Sequence, residues 1–131
     1  MMTKQEFRNY LSGGIHFLDG ATGSNLMLLG MPKGCCAEKW ILKHPQPLLA
    51  LQQGYAQAGS DIIYAPTFQA NPIALEKEGL ADKTEEINAR LIALSRQAAP
   101  VTWPHLPATA TAGTRIILSI WLPPISGRYA A

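Results

Sequence analysis

A chain of 131 residues, 47% hydrophobic and 15% charged, has the make-up of one modest globular domain and not of a disordered tail. Its net charge is +2 with acidic and basic residues interspersed up to Arg96, so no basic stripe is available to a nucleic-acid backbone. No stretch approaches the roughly 20 apolar residues of a membrane span, the N-terminus lacks the apolar core of a secretory signal, and the two cysteines, Cys35 and Cys36, are adjacent and poorly placed for a disulfide. A cytoplasmic chain with reduced thiols, binding neither nucleic acid nor membrane, is expected.

Thr3 followed three residues later by Glu6 is a capping-box start for a short helix that Gly13 and Gly14 end. Ile15 to Leu18 then reads as a short buried strand. It runs into Asp19-Gly20-Ala21-Thr22-Gly23, where two glycines allow a tight turn before the apolar Leu26-Met27-Leu28-Leu29 turn of helix. Pro45 and Pro47 precede a helix in which Leu48, Leu51, Tyr55 and Ala58 share a face, closed by Gly59 at the C′ position. Asp61 to Ala65 is the second strand.

Asn71 and Pro72 are the N-cap and first residue of another short helix stopped at Gly79, and Asp82 with Glu85 caps the next. In that last helix Ile87, Leu91, Leu94 and Ala98 recur at helical spacing, with Glu86 and Arg90 as a solvent-side i,i+4 pair. Composition then breaks abruptly. Residues 100–131 hold only Arg115 and Arg128 among charged residues, five prolines and an Ala/Thr run, and no period survives there beyond Ile116 to Leu122. The expected boundary therefore falls after Ala99, with residues 1–99 one unit and 100–131 an irregular tail whose Ile116 to Leu122 run has no docking place.

Helix, strand, loop, helix, strand, loop and helix is the alternation that builds a parallel sheet with crossover helices, an α/β architecture. In such folds chemistry gathers at the carboxyl ends of the strands. Those ends are Asp19 to Gly23 and Pro66 to Asn71. A carboxylate at Asp19 suits a ligand ammonium group, or else caps its own turn. Thr67 and Phe68 bring together a hydroxyl, exposed N–H groups and an apolar wall, or else satisfy only their loop.

Other chemistries find little support. Zinc needs three or four ligands, and Cys35 with Cys36 are two adjacent ones. His16 falls within a strand, whereas His44 and His105 sit in proline-rich stretches with nothing near in sequence to orient them. No phosphate-binding glycine loop, Gly-x-Ser-x-Gly elbow or HExxH motif occurs.

Four blocks together resemble the homocysteine S-methyltransferase family, including the homocysteine-binding domain of cobalamin-dependent methionine synthases. They are Leu18 to Ser24, Glu38-Lys39-Trp40 with Pro45 and Pro47, Tyr55 to Ile63, and Ala65 to Asn71; Asn88 and the helix to Ala98 continue them. The resemblance implies the N-terminal β/α units of a (β/α)8 TIM-type barrel, truncated here; its loss after Ala99, where the composition also breaks, is what a shifted reading frame or a truncated gene copy would leave, a genuine short tail being the alternative. It implies a substrate-binding set in which Asp19 contacts the amino acid's ammonium, Gly20 and Gly23 keep the backbone close, and Thr67 and Phe68 lie near its carboxylate.

The family reaction is methyl transfer to a zinc-activated homocysteine thiolate, giving methionine, with methylcobalamin, S-methylmethionine or betaine as donor. The three zinc cysteines lie late in the family's barrel, and Cys35-Cys36 in the first loop do not match them. The resemblance thus implies a fragment with no catalytic or metal residues of its own, the alternative being a non-catalytic remnant or small amino-acid-binding module without zinc. Its expected partners are homocysteine and, through an open sheet edge, further copies of itself.

Overall fold

The computed structural model describes residues 3–98 and 116–118. Helix α1 (Lys4–Ser12) opens on the expected capping box: the Glu6 N–H donates to Thr3 Oγ1 at 3.2 Å and the Thr3 N–H donates to Glu6 Oε2 at 2.7 Å. It buries no side chain. Its end is met by His16, whose ring stacks on Tyr10 at 4.0 Å between centroids and sets Nε2 2.8 Å from the Tyr10 carbonyl.

The first strand is shorter than its sequence suggests. Among the described residues it forms only a parallel bridge between Leu18 and Ile62, although the Phe17 carbonyl accepts from the N–H groups of Asp61 and Ile62 and the Phe17 N–H donates to Asp61 Oδ2 at 2.9 Å. Ile15, Phe17 and Leu18 stay exposed, so among the described residues the segment lacks the packing partner that a buried strand requires.

Three helices lead onward, α2 (Gly23–Leu28), α3 (Ala37–Lys43) and α4 (Pro45–Gln57), with Pro45 as the first residue of α4. Its buried stripe is Leu48, Gln52 and Ala56, one step round from the expected face, because Gln52 Nε2 donates to the Tyr64 carbonyl at 3.0 Å and anchors the helix to the strand. Gly59 ends the helix as expected, at φ +104°, with the Ser60 N–H reaching back to the Tyr55 carbonyl and that of Gly59 to Ala56.

Strand β1 (Ile62–Tyr64) is central. After it come α5 (Pro72–Glu76), capped by Asn71 Oδ1 accepting from the Ala74 N–H, a 3-10 turn (Ala81–Lys83) and α6 (Thr84–Ala98). The 3-10 turn displaces the start of α6 past Asp82, and the expected Glu86–Arg90 pair is present at 3.4 Å. Strand β2 (Ile116–Leu118) then pairs parallel with β1, Ile62 opposite Ile116 and Tyr64 opposite Leu118.

β2 corrects one expectation, since the first residues of the Ile116 to Leu122 run dock on the sheet and do not stand apart from it. The rest of residues 99–131 lies outside the described residues. The arrangement is the parallel α/β one expected, with Leu18, β1 and β2 side by side and helices in both connections. Leu26, Ile41, Leu48, Leu75, Ile87 and Leu91 form the main core, and half-buried Trp40 and Leu51 pack against it. Each such side chain contributes about 1.5–3 kcal/mol by leaving water.

Candidate amino-acid-binding site

Asp19 lies immediately after the Leu18 bridge, so its backbone is fixed by the sheet: its N–H donates to the Ile62 carbonyl at 2.9 Å. Its carboxylate reaches across to the neighbouring strand, where Oδ2 accepts from the Tyr64 N–H at 3.2 Å. Burial pushes the Asp19 carboxyl above its ordinary value, and the Tyr64 hydrogen bond only partly offsets that. No salt-bridge partner meets it among the described residues.

Gly20 is required by close approach. A Cβ there would stand 2.8 Å from the Tyr55 hydroxyl and 2.9–3.0 Å from two ring carbons. The ring is pinned, because the Tyr55 hydroxyl donates to the Ala21 carbonyl at 2.9 Å and accepts from Asn25 Nδ2 at 3.2 Å. Tyr55 on α4 thus fixes the course of the Asp19–Ala21 turn. Gly23 is different: it opens α2 with nothing near its missing Cβ.

The second cluster follows β1. Thr67, Phe68, Gln69 and Ala70 form a tight turn closed by the Ala70 N–H donating to the Thr67 carbonyl at 3.1 Å. Thr67 is buried, with its hydroxyl 3.5 Å from the Ala65 carbonyl, whereas Phe68 at the corner is 79% exposed. The Phe68 N–H takes no partner among the described residues. Asp19 and this turn sit at the same end of the parallel sheet, with only Ala65 and Pro66 between Tyr64, whose N–H Asp19 binds, and Thr67.

Two polar side chains that sequence reasoning did not place in the site bear on the turn. Glu38, 3% exposed, accepts from the Gln69 N–H through Oε1 at 2.8 Å. Asn88, equally buried, donates from Nδ2 to the Ala70 carbonyl at 2.7 Å and to the Thr84 carbonyl at 2.8 Å. Glu38 stands within a block of family resemblance and Asn88 in the helix that continues the blocks, but nothing in their spacing says that they converge on one turn.

The thiols lie elsewhere. Cys35 is exposed and Cys36 half-buried at the start of α3, where its Sγ approaches Glu38 Oε2 at 3.8 Å. Burial pushes the Cys36 thiol up, with the Glu38 charge adding to it, which disfavours the thiolate that zinc binds. No group of three His, Cys, Asp or Glu side chains among the described residues is placed to hold a metal ion. The described residues therefore do not build a zinc centre by themselves.

The family model for homocysteine S-methyltransferases matches residues 16–120, past the boundary expected at Ala99 and through β2. No curated protein matches the chain. Among solved structures, the metallated form of the homocysteine methyltransferase MmuM from Escherichia coli matches with a TM-score of 0.65 at 21% identity. That match covers 86% of this chain and 40% of the other, so the likeness is one of fold, and the chain spans well under half the length of the enzyme it resembles. With the family model matching most of its length, the chain belongs to the homocysteine S-methyltransferase family.

Proposed function

We propose that this chain supplies the amino-acid-binding half of a homocysteine S-methyltransferase site, as the N-terminal β/α units of a (β/α)8 barrel. Asp19 takes the ammonium group of homocysteine, and the Thr67–Ala70 turn takes its carboxylate through the Phe68 N–H, which has no partner among the described residues, with the Phe68 ring as an apolar wall. The observation that carries this reading is the state of Asp19: a carboxylate at a strand end, half-buried, raised in pKa by that burial and met by no cation among the described residues. An ammonium ion is the partner such a group lacks.

In the family reaction the homocysteine sulfur, activated as a thiolate, attacks a methyl donor to give methionine. Zinc lowers the pKa of that thiol. No step is assigned to zinc on this chain, whose described thiols do not build its site. The same observation favours a second reading, an amino-acid-binding module that holds homocysteine without activating it. Either activity belongs in the cytoplasm, in keeping with free thiols; among the described residues no helix is long and apolar enough to cross a membrane.

Calorimetric titration of the full chain with L-homocysteine under reducing conditions tests the proposal. Wild type binds, and Asp19→Asn weakens binding by about 10- to 100-fold, the size of one charge-assisted hydrogen bond of roughly 1.5–3 kcal/mol. An unchanged dissociation constant in Asp19→Asn removes Asp19 from the site, and absence of binding by wild type refutes the reading altogether.

A further inference from the structure

We infer that Glu38, acting with Asn88, is a positioning residue that sets the backbone of the Thr67–Ala70 turn and so presents its Phe68 corner to the substrate. The inference rests on the amino-acid-binding reading given above for what the turn contacts. The clamp itself stands on geometry alone.

A carboxylate only 3% exposed is costly unless it is paired, and Glu38 has no salt-bridge partner among the described residues. Lys39, the next residue, is engaged at 2.7 Å with Glu78 instead. The partners of Glu38 are the Gln69 N–H on Oε1 and the weakly donating Cys36 thiol near Oε2. Its place in the first turn of α3 eases the burial, because unpaired N–H groups there favour negative charge. An apolar side chain would fill the same space at less cost. What it could not do is hold the Gln69 N–H.

The turn leaves that N–H to be held. Its closing hydrogen bond uses the Ala70 N–H and the Thr67 carbonyl, and the Thr67 N–H is spent on the Ala65 carbonyl at 2.8 Å. The Gln69 N–H and the Ala70 carbonyl are each taken by a buried side chain from a different helix: Glu38 of α3, 31 residues earlier, and Asn88 of α6, 18 residues later. The turn is thereby gripped at consecutive residues from two sides. Phe68 is left projecting outward with its N–H unpaired among the described residues. An N–H that must meet a ligand carboxylate within a few tenths of an ångström gains from a backbone that cannot rotate away.

Three substitutions of Glu38 in the full chain separate positioning from mere packing. Glu38→Gln keeps an acceptor oxygen at the right reach, Glu38→Leu keeps the buried volume without an acceptor, and Glu38→Asp keeps the charge but ends a methylene short. Two readouts are taken: amide hydrogen exchange at Gln69 by NMR and L-homocysteine affinity by calorimetry. The expected result is that Glu38→Gln stays within about threefold of wild type in both, whereas Glu38→Leu folds yet loses tenfold or more of the Gln69 protection and of the affinity.

Should the leucine chain not fold, Glu38→Asp decides, with the same losses expected. Gln69 protection and homocysteine affinity in the leucine or aspartate chain within twofold of wild type would overturn the inference. If wild type itself binds no homocysteine, the functional reading fails, and the Gln69 exchange still judges the clamp: protection lost in leucine and aspartate but kept in glutamine upholds it, and equal protection in all the chains overturns it.

Discussion

Gly20→Ala puts a methyl group where the ring of Tyr55 already lies. Gly20 is not among the residues at positive φ, so alanine fits the backbone and by itself would stabilise the fold by about 0.4–1 kcal/mol through the unfolded chain. Against that stand contacts of 2.8–3.0 Å with the Tyr55 hydroxyl and ring, where ordinary contact begins near 3.4 Å. Relief requires the ring to swing aside, which breaks the hydroxyl's bonds to the Ala21 carbonyl at 2.9 Å and from Asn25 at 3.2 Å.

Two hydrogen bonds at about 0.5–1.5 kcal/mol each outweigh the entropic gain, leaving a net loss of roughly 1–2 kcal/mol. Urea denaturation measures it. The diagnosis is specific to the tyrosine: in a Tyr55→Leu background the same Gly20→Ala change should cost little or turn stabilising, giving a coupling of about 1 kcal/mol or more. A Gly20→Ala chain as stable as wild type, or an equal cost in both backgrounds, would refute the reasoning.

Three other outcomes are expected. Burial holds the Asp19 proton in the folded chain above its ordinary value of 3.8, so stability should fall as pH rises through that window. Asp19→Asn should match wild type in melting temperature at low pH and exceed it above the window; a wild type that gains stability over that range, relative to the variant, contradicts the assignment. Equilibrium dialysis of the full chain against zinc should give well under one tightly bound ion per chain, because Cys35 and Cys36 lack a third ligand among the described residues; a stoichiometric ion at high affinity counts against this. Exposed Ile15, Phe17 and Leu18 beside a single bridge make a sticky sheet edge, so sedimentation should show self-association that Phe17→Lys reduces, and a monomer at every concentration would dismiss it.

The local punctuation of the fold was plain in the sequence. Thr3 with Glu6, Asn71 before Pro72, and glycines at 59 and 79 act where they stand, since a cap or a left-handed residue answers to its immediate neighbours. The strands were less readable. Ile15 to Leu18 is apolar enough for a buried strand, yet burial depends on what lies beside it, and the segment forms one bridge with its apolar side chains exposed. Ile116 to Leu118 differs the other way: it lies in a proline-rich stretch that offers no docking signal, yet it pairs with β1, more than 50 residues distant, a partner no local pattern names.

The candidate site divides along the same line. Asp19, Thr67 and Phe68 could be pointed to because strand ends in parallel α/β folds gather chemistry and because the surrounding blocks resemble a family. Tyr55, Glu38, Gln52 and Asn88 could not. Each is a polar or amphipathic residue on a helix, and its role comes from a backbone group 12 to 34 residues away that the packing of helices on β1 brings within reach. A helical period shows which face is apolar. It does not show that a glutamate on that face is aimed at a turn.

The central claim, that Asp19 and the turn after β1 form one amino-acid-binding site, is tested most directly by titrating the ¹⁵N-labelled full chain with L-homocysteine and following its backbone amides. The account predicts saturable shifts concentrated at Asp19, Gly20 and Tyr64 on one side and at Phe68 and Gln69 on the other, with the same dissociation constant from both groups. Shifts confined to one group, shifts centred on Cys35 and Cys36, or none at all would contradict it.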